Sequence, residues 1–249
     1  MPTPFIYQDP GFALGNFINL TPGIKRLSEI AQTKIDVHFA TPFVKACFTD
    51  CPFIHFVEEL NRPFTYSSRM VNQVIPDYQY CFKNLTGEDW SKQYHTYIDT
   101  AHEIPMHQEP YLLLLNGLAG ISLNDSDPKP FWFGKKEISE AYFIQIKNQS
   151  NLPIYFTGSA SDLKQNPWIA QIANKISIGN IRESLALVRD ATKIIANDTG
   201  LAHAAGAMNK EMLILWKDTP FEKNKNPGIR TTYAQKNVWE QCISSFLLK

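Results

Sequence analysis

The chain has 249 residues, 44% of them hydrophobic and 19% charged, and its 24 basic side chains balance its 24 acidic ones. That composition excludes a disordered chain, and a formal net charge of zero removes any global reason to expect nucleic acid or an anionic membrane as the main partner. No apolar run approaches the ~20 residues that cross a bilayer. The opening Met-Pro-Thr-Pro-Phe also lacks the layout of a signal peptide, so the cytosol is the expected compartment. Cys47, Cys51, Cys81 and Cys242 have neither redox nor zinc spacing and are expected as free thiols.

Taken in chain order, Phe5 to Tyr7 predicts a strand, followed by a glycine-containing loop from Gly11 to Gly15. A helix is expected from Thr21 or Pro22 to Ala31, with the proline well placed in its first turn. Ile35–Phe39 alternates as a strand does, Pro42–Cys47 starts a helix, and Phe53–Val57 and Tyr78–Phe82 read as further strands. Glu109–Leu118, with its leucine run, reads as a buried helix. The polar, proline-broken stretch Leu123–Pro130 has the composition of a linker, which places one domain at 1–125 and a second at 126–249. Beyond it, helices are expected over Lys136–Asn148, Trp168–Ile176, Ile181–Asp190 and Val238–Leu248, with strands at Leu152–Thr157 and Lys193–Ile195. Strands alternating with helices argue for α/β architecture with parallel sheets.

The most informative stretch is Ile194-Ile195-Ala196-Asn197-Asp198-Thr199-Gly200-Leu201-Ala202-His203-Ala204-Ala205. Two apolar residues end a strand, a polar turn follows, and a run of small residues then suits a helix packed closely on a sheet. Asp198 and Thr199 are both good N-cap residues, and Gly200 lets a bound group approach the backbone. Free N–H groups at a positive helix end hold anions well, phosphate above all. Gly158-Ser159-Ala160-Ser161-Asp162 also follows a strand. There Asp162 suits either a ribose diol or an ordinary turn, and Gly179 precedes the next helix where backbone can lie along a base edge.

The Asn-Asp-Thr-Gly-Leu-Ala-His-Ala-Ala-Gly-Ala run, with Ser184–Ala191 before it and Met212–Pro220 after it, resembles the heptosyltransferase family of glycosyltransferases. Gly15-Asn16 through Leu27, followed by Lys34–Val37, is similar to that family's opening loop, helix and second strand. The resemblance implies a GT-B fold: two Rossmann-like α/β domains with mostly parallel sheets facing a central cleft, here with an abbreviated C-terminal domain that lacks its first strand-and-loop unit. It implies a nucleotide-diphosphate-sugar donor, ADP-heptose being one that the family uses, and no cofactor or catalytic metal. The acceptor is then a glycan, a lipid-linked sugar or a protein. Asp198 would accept from the donor sugar, Thr199, Gly200 and Leu201 would hold its diphosphate, and Gly158, Ser159, Asp162 and Gly179 would surround the nucleoside. His203 would face a phosphate or the helix packing. Lys135 or Lys136, in a remnant of the missing unit, rivals Lys164 as the phosphate-neutralising lysine.

One position departs from the family. After Gly15 the resemblance implies an aspartate acting as general base, but this chain has Asn16, and an amide takes up no proton at neutral pH. A relocated base is expected, with Glu103 and His102 as the leading candidates beside Asp9, Asp99 and His107. The other expectation is a non-catalytic nucleotide-sugar-binding or scaffold protein.

Overall fold

The computed structural model describes residues 4–9, 14–60, 62–68, 78–117, 138–216, 228 and 230–248. The described chain forms two compact units, dividing between Asp99 and Thr100 rather than at the 125/126 boundary drawn from composition. The linker-like stretch 123–130, Lys135 and Lys136 lie outside the described residues.

The first unit is built on a four-stranded, all-parallel sheet. Its strands are β1 (Phe5–Gln8), β2 (Ile35–Phe39), β3 (Ile54–Phe56) and β4 (Tyr66–Ser67), in the spatial order β3-β2-β1-β4. Helices α1 (Leu14–Ile18), α2 (Thr21–Ala31), α3 (Pro42–Ala46) and α4 (Tyr78–Thr86) accompany it. Gly15, expected to end a loop, therefore stands with Asn16 in a short helix. Tyr78–Phe82, expected as a strand, opens α4, because Cys81, Phe82 and Leu85 share one buried helical face. Phe17 from α1 packs against Phe39 and Phe48 in the core. Cys47, Cys51 and Cys81 are buried, Cys242 is half-buried, and all four are free, as expected.

The second unit carries six parallel strands: β5 (Leu112–Leu115), β6 (Ile154–Gly158), β7 (Lys175–Ile178), β8 (Lys193–Ala196), β9 (Met212–Trp216) and β10 (Thr231–Gln235). Their order, β10-β9-β8-β5-β6-β7, is the doubly wound arrangement of a dinucleotide-binding fold, with its switch point between β5 and β8. Helices α5 (Glu140–Gln149), α6 (Ala160–Gln165), α7 (Ile169–Ile172), α8 (Ile181–Asp190), α9 (Gly200–Ala207) and α10 (Trp239–Leu248) accompany the sheet. One face buries Leu112, Leu114, Phe156, Ile195 and Leu213 against residues of α5, α7 and α10. The other buries Leu113, Leu115, Ile194, Ala196 and Ile214 against residues of α8 and α9.

Two expectations change here. The leucine run read as a helix is β5, the central strand, with all four leucines buried; it supplies the first strand that this half had seemed to lack. The helix expected over Trp168–Ile176 is one turn, α7, after which the chain enters β7. Among the described residues no helix is long and apolar enough to cross a membrane.

Candidate functional site

Strand β8 ends in buried Ile194, Ile195 and Ala196, and the turn beyond it closes with Thr199 as the N-cap of α9. Of the two capping candidates it is Thr199 whose side chain takes the role: its Oγ1 accepts from the N–H of Ala202 at 3.3 Å. The first-turn N–H groups of Gly200 and Leu201 have no intrahelical partner by helix geometry, and the helix end adds partial positive charge. Ala202, Ala204, Ala205 and Gly206 are buried, so α9 lies close against its neighbours.

His203 stands one turn into α9 and is only 7% exposed. Its Nε2 lies 3.8 Å from Asp198 Oδ1, and its buried Nδ1 has no hydrogen-bond partner. A buried imidazole nitrogen left unpaired costs roughly 1–3 kcal/mol. The Asp198 side chain is itself 8% exposed. Carboxylate, imidazole and free amides thus share one end of one helix, at the sheet's switch point.

The residues expected to surround a nucleoside meet the same carboxyl edge of the sheet. Gly158 ends β6, and Ser159 and Asp162 form a capping box on α6. Asp162 Oδ2 accepts from both the backbone N–H and the hydroxyl of Ser159, each at 2.7 Å. Gly179, with φ of 84°, makes the left-handed turn after β7, and the Asn180 side chain caps α8. Lys164 is exposed in the last turn of α6.

The proposed proton acceptors are more scattered. Asn16 is half-buried in α1 of the first unit. Glu103, in the second unit, is held by Arg182 through Nε at 2.6 Å and a terminal nitrogen at 2.7 Å. That pairing pulls its carboxyl down to about 2, which makes it a weak base. His102 Nε2 contacts Thr100 Oγ1 at 2.7 Å. Asp99 is buried, its oxygens accepting from the Asp50 N–H and the Tyr97 hydroxyl. Asp9 accepts from the hydroxyls of Ser67 and Ser68. His107 sits by Tyr111 and Tyr155, towards the start of β5 and away from the carboxyl edge, and burial pushes its pKa down. Among the described residues no group of three or more His, Cys, Asp or Glu side chains is placed to hold a metal ion.

Sequence reasoning passed over two residues at this edge. Asn116 and Asn197 end β5 and β8 and are fully buried. Their one signal was an asparagine closing each apolar run.

A sequence profile of glycosyltransferase family 9 (heptosyltransferase) matches residues 141–244, from α5 into α10. The C-terminal part of the chain is thus similar to that family. No curated protein matches the chain. Among solved structures, Escherichia coli ADP-heptose lipopolysaccharide heptosyltransferase II superposes with a TM-score of 0.69 at 11% identity, over 99% of this chain and 98% of that one. A family 9 glycosyltransferase from Veillonella parvula gives 0.66 at 12% identity, over 94% and 87%. E. coli heptosyltransferase WaaC with ADP-2-deoxy-2-fluoro heptose gives 0.62 at 10%, over 98% and 99%. At such identities the likeness establishes the fold, and it is the fold that the family resemblance implied: α/β, with a parallel sheet in each unit. The family 9 segment contains the whole Asp198–His203 turn and α9.

Proposed function

We propose that the protein is a glycosyltransferase that moves a sugar from a nucleotide-diphosphate donor to a hydroxyl of a glycan, lipid-linked or protein acceptor. The observation that carries this reading is the end of α9: the first-turn Gly200 and Leu201 amides beside the Asp198 side chain and a buried His203 nitrogen without a partner. In the proposed step the acceptor oxygen attacks the anomeric carbon, its proton passing to the relocated base, and the bond from that carbon to the diphosphate breaks with its electron pair leaving on the phosphate. The amides, with a lysine such as Lys164, stabilise the departing charge, while Asp198 accepts from sugar hydroxyls. ADP-heptose is the first donor to try, since heptosyltransferase II is named for it and WaaC has been solved with an analogue of it.

The test is calorimetric titration with ADP, UDP, GDP and their sugar conjugates, backed by thermal shift. A donor at 100 times its Kd stabilises by about 2.7 kcal/mol. Asp198→Ala is expected to weaken the sugar nucleotide about tenfold more than the free diphosphate. Equal losses assign Asp198 to the turn rather than the sugar, and a native protein that binds none of the panel overturns the reading.

A second reading, a nucleotide-sugar binder without transfer activity, is favoured by Asn16 and by the Arg182 clamp on Glu103. Transfer rates of native protein, Asn16→Asp and Asn16→Ala separate the two. Activity gained only in Asn16→Asp indicates a lost base. A neutral or harmful effect of the same change, in an active native protein, indicates a relocated one.

A further inference from the structure

Two fully buried amides close the carboxyl edge of the second sheet at its switch point. Asn116 clasps the backbone of Ile138, its Nδ2 donating to the carbonyl at 3.1 Å and its Oδ1 accepting from the N–H at 2.9 Å. Asn197, the next strand end over, donates from Nδ2 to the Gly117 carbonyl at 2.8 Å and to Asn116 Oδ1 at 3.3 Å. Gly117 in turn abuts the motif turn: a Cβ placed on it would lie 2.8 Å from Thr199 Cγ2. The contacts run in one chain, Ile138 to Asn116 to Asn197 to Gly117 to Thr199. Apolar side chains would close a sheet edge without any need for partners, whereas buried amides must be hydrogen-bonded to be tolerated. The four bonds given above run to an amide of the pair or to backbone of a segment flanking the crevice.

We infer that Asn116 and Asn197 are positioning residues, fixing the distance between Gly117, just past β5, and the Thr199 turn and so the geometry in which that turn receives a diphosphate. The inference rests on the nucleotide-sugar reading. The amides touch no ligand themselves. They hold Gly117 against Thr199, and Thr199 sets the direction of the Gly200 and Leu201 N–H groups. Any change that lengthens or crowds this chain of contacts is transmitted to the anion site.

ADP is the probe, titrated by calorimetry at a temperature where circular dichroism shows each variant folded. Asn116→Ala and Asn197→Ala are each expected to lose about tenfold in ADP affinity, and the double variant little more than either, because both break one chain. Gly117→Ala probes the other end without touching a buried amide and should lose a similar amount. Adding Thr199→Ser removes the methyl that a new Cβ would strike, so the Gly117→Ala/Thr199→Ser protein should regain most of that loss. If the asparagine variants do not fold, the Gly117 pair decides. Ile243→Val, a core change in α10 away from this edge, should keep native affinity. Native affinity in the Asn116, Asn197 and Gly117 variants overturns the inference, as does failure of Thr199→Ser to rescue or a comparable loss in Ile243→Val. A native protein without affinity for ADP, UDP or GDP overturns the nucleotide-sugar reading itself.

Discussion

At Asp162 one carboxylate answers two demands. Its Oδ2 takes both donors of Ser159 and closes the capping box of α6, and Gly158 lies so near that a Cβ there would be 3.0 Å from the same oxygen. A ribose diol would have to share this group with the turn. Losing a capping side chain costs about 1 kcal/mol, so Asp162→Ala is expected to lower the melting temperature by roughly 2–4 °C. If the carboxylate also holds ribose, the native protein should prefer the ribonucleotide donor over its 2′-deoxy form by about 0.5–1.5 kcal/mol, the worth of one hydrogen bond. The alanine variant should lose that preference. A preference that survives places the ribose contact on another residue, and Asp162 is then a cap alone.

Among the elements, those with strong local signals were legible before the fold was known. Thr21–Ala31 showed its proline near the start, Ile35–Phe39 alternated, and Ile194–Ala205 carried strand, turn and small-residue helix in one line. Leu112–Leu115 was not legible, because a short run buried on both sides has no periodicity to tell strand from helix. Tyr78–Phe82 misled through its aromatic content, which favours strands, while Cys81, Phe82 and Leu85 packed on a helical face. The site followed the same rule. The Asp198–His203 turn is contiguous and was visible, whereas Asn116 and Asn197 stand far apart in sequence and meet only through the parallel pairing of β5 with β8. The clamp on the start of the second unit is likewise a tertiary product. Arg182 holds Glu103 from the first turn of α8, and Arg189 near its end donates to the carbonyls of Thr100, Ala101 and Ile104. Because the carboxyl of Glu103 falls from 4.5 to about 2 on pairing, its contribution to stability is fully present above about pH 4.5 and lost as pH drops through 2. Glu103→Gln should therefore melt below the native protein at pH 7, by an amount that shrinks in high salt, and match it near pH 2. A gap that persists at pH 2 would assign the loss to packing rather than charge.

For the whole molecule, the two units divide the proposed reaction between them. The second unit is one doubly wound sheet with a core on each face, and Gly158, Ser159, Gly179 and the Asp198–Leu201 turn lie at its carboxyl edge. The first unit holds Asn16 with the base candidates Asp9 and Asp99, and their expected partner is the acceptor. ADP without a sugar should therefore slow hydrogen exchange in residues 116–117, 158–162 and 198–204 and leave residues 14–60 unchanged. Site amides that exchange only from the free protein should slow by up to about a hundredfold at 100 times the Kd, the same linkage that raises the melting temperature. The intact donor, carrying its sugar, is the ligand with a reason to reach further. Unchanged exchange across 198–204 under saturating ADP would remove α9 from the binding site. Slowing across 14–60 with ADP alone would give the first unit a share of the nucleotide and move Asn16 from the acceptor side to the donor side of the reaction.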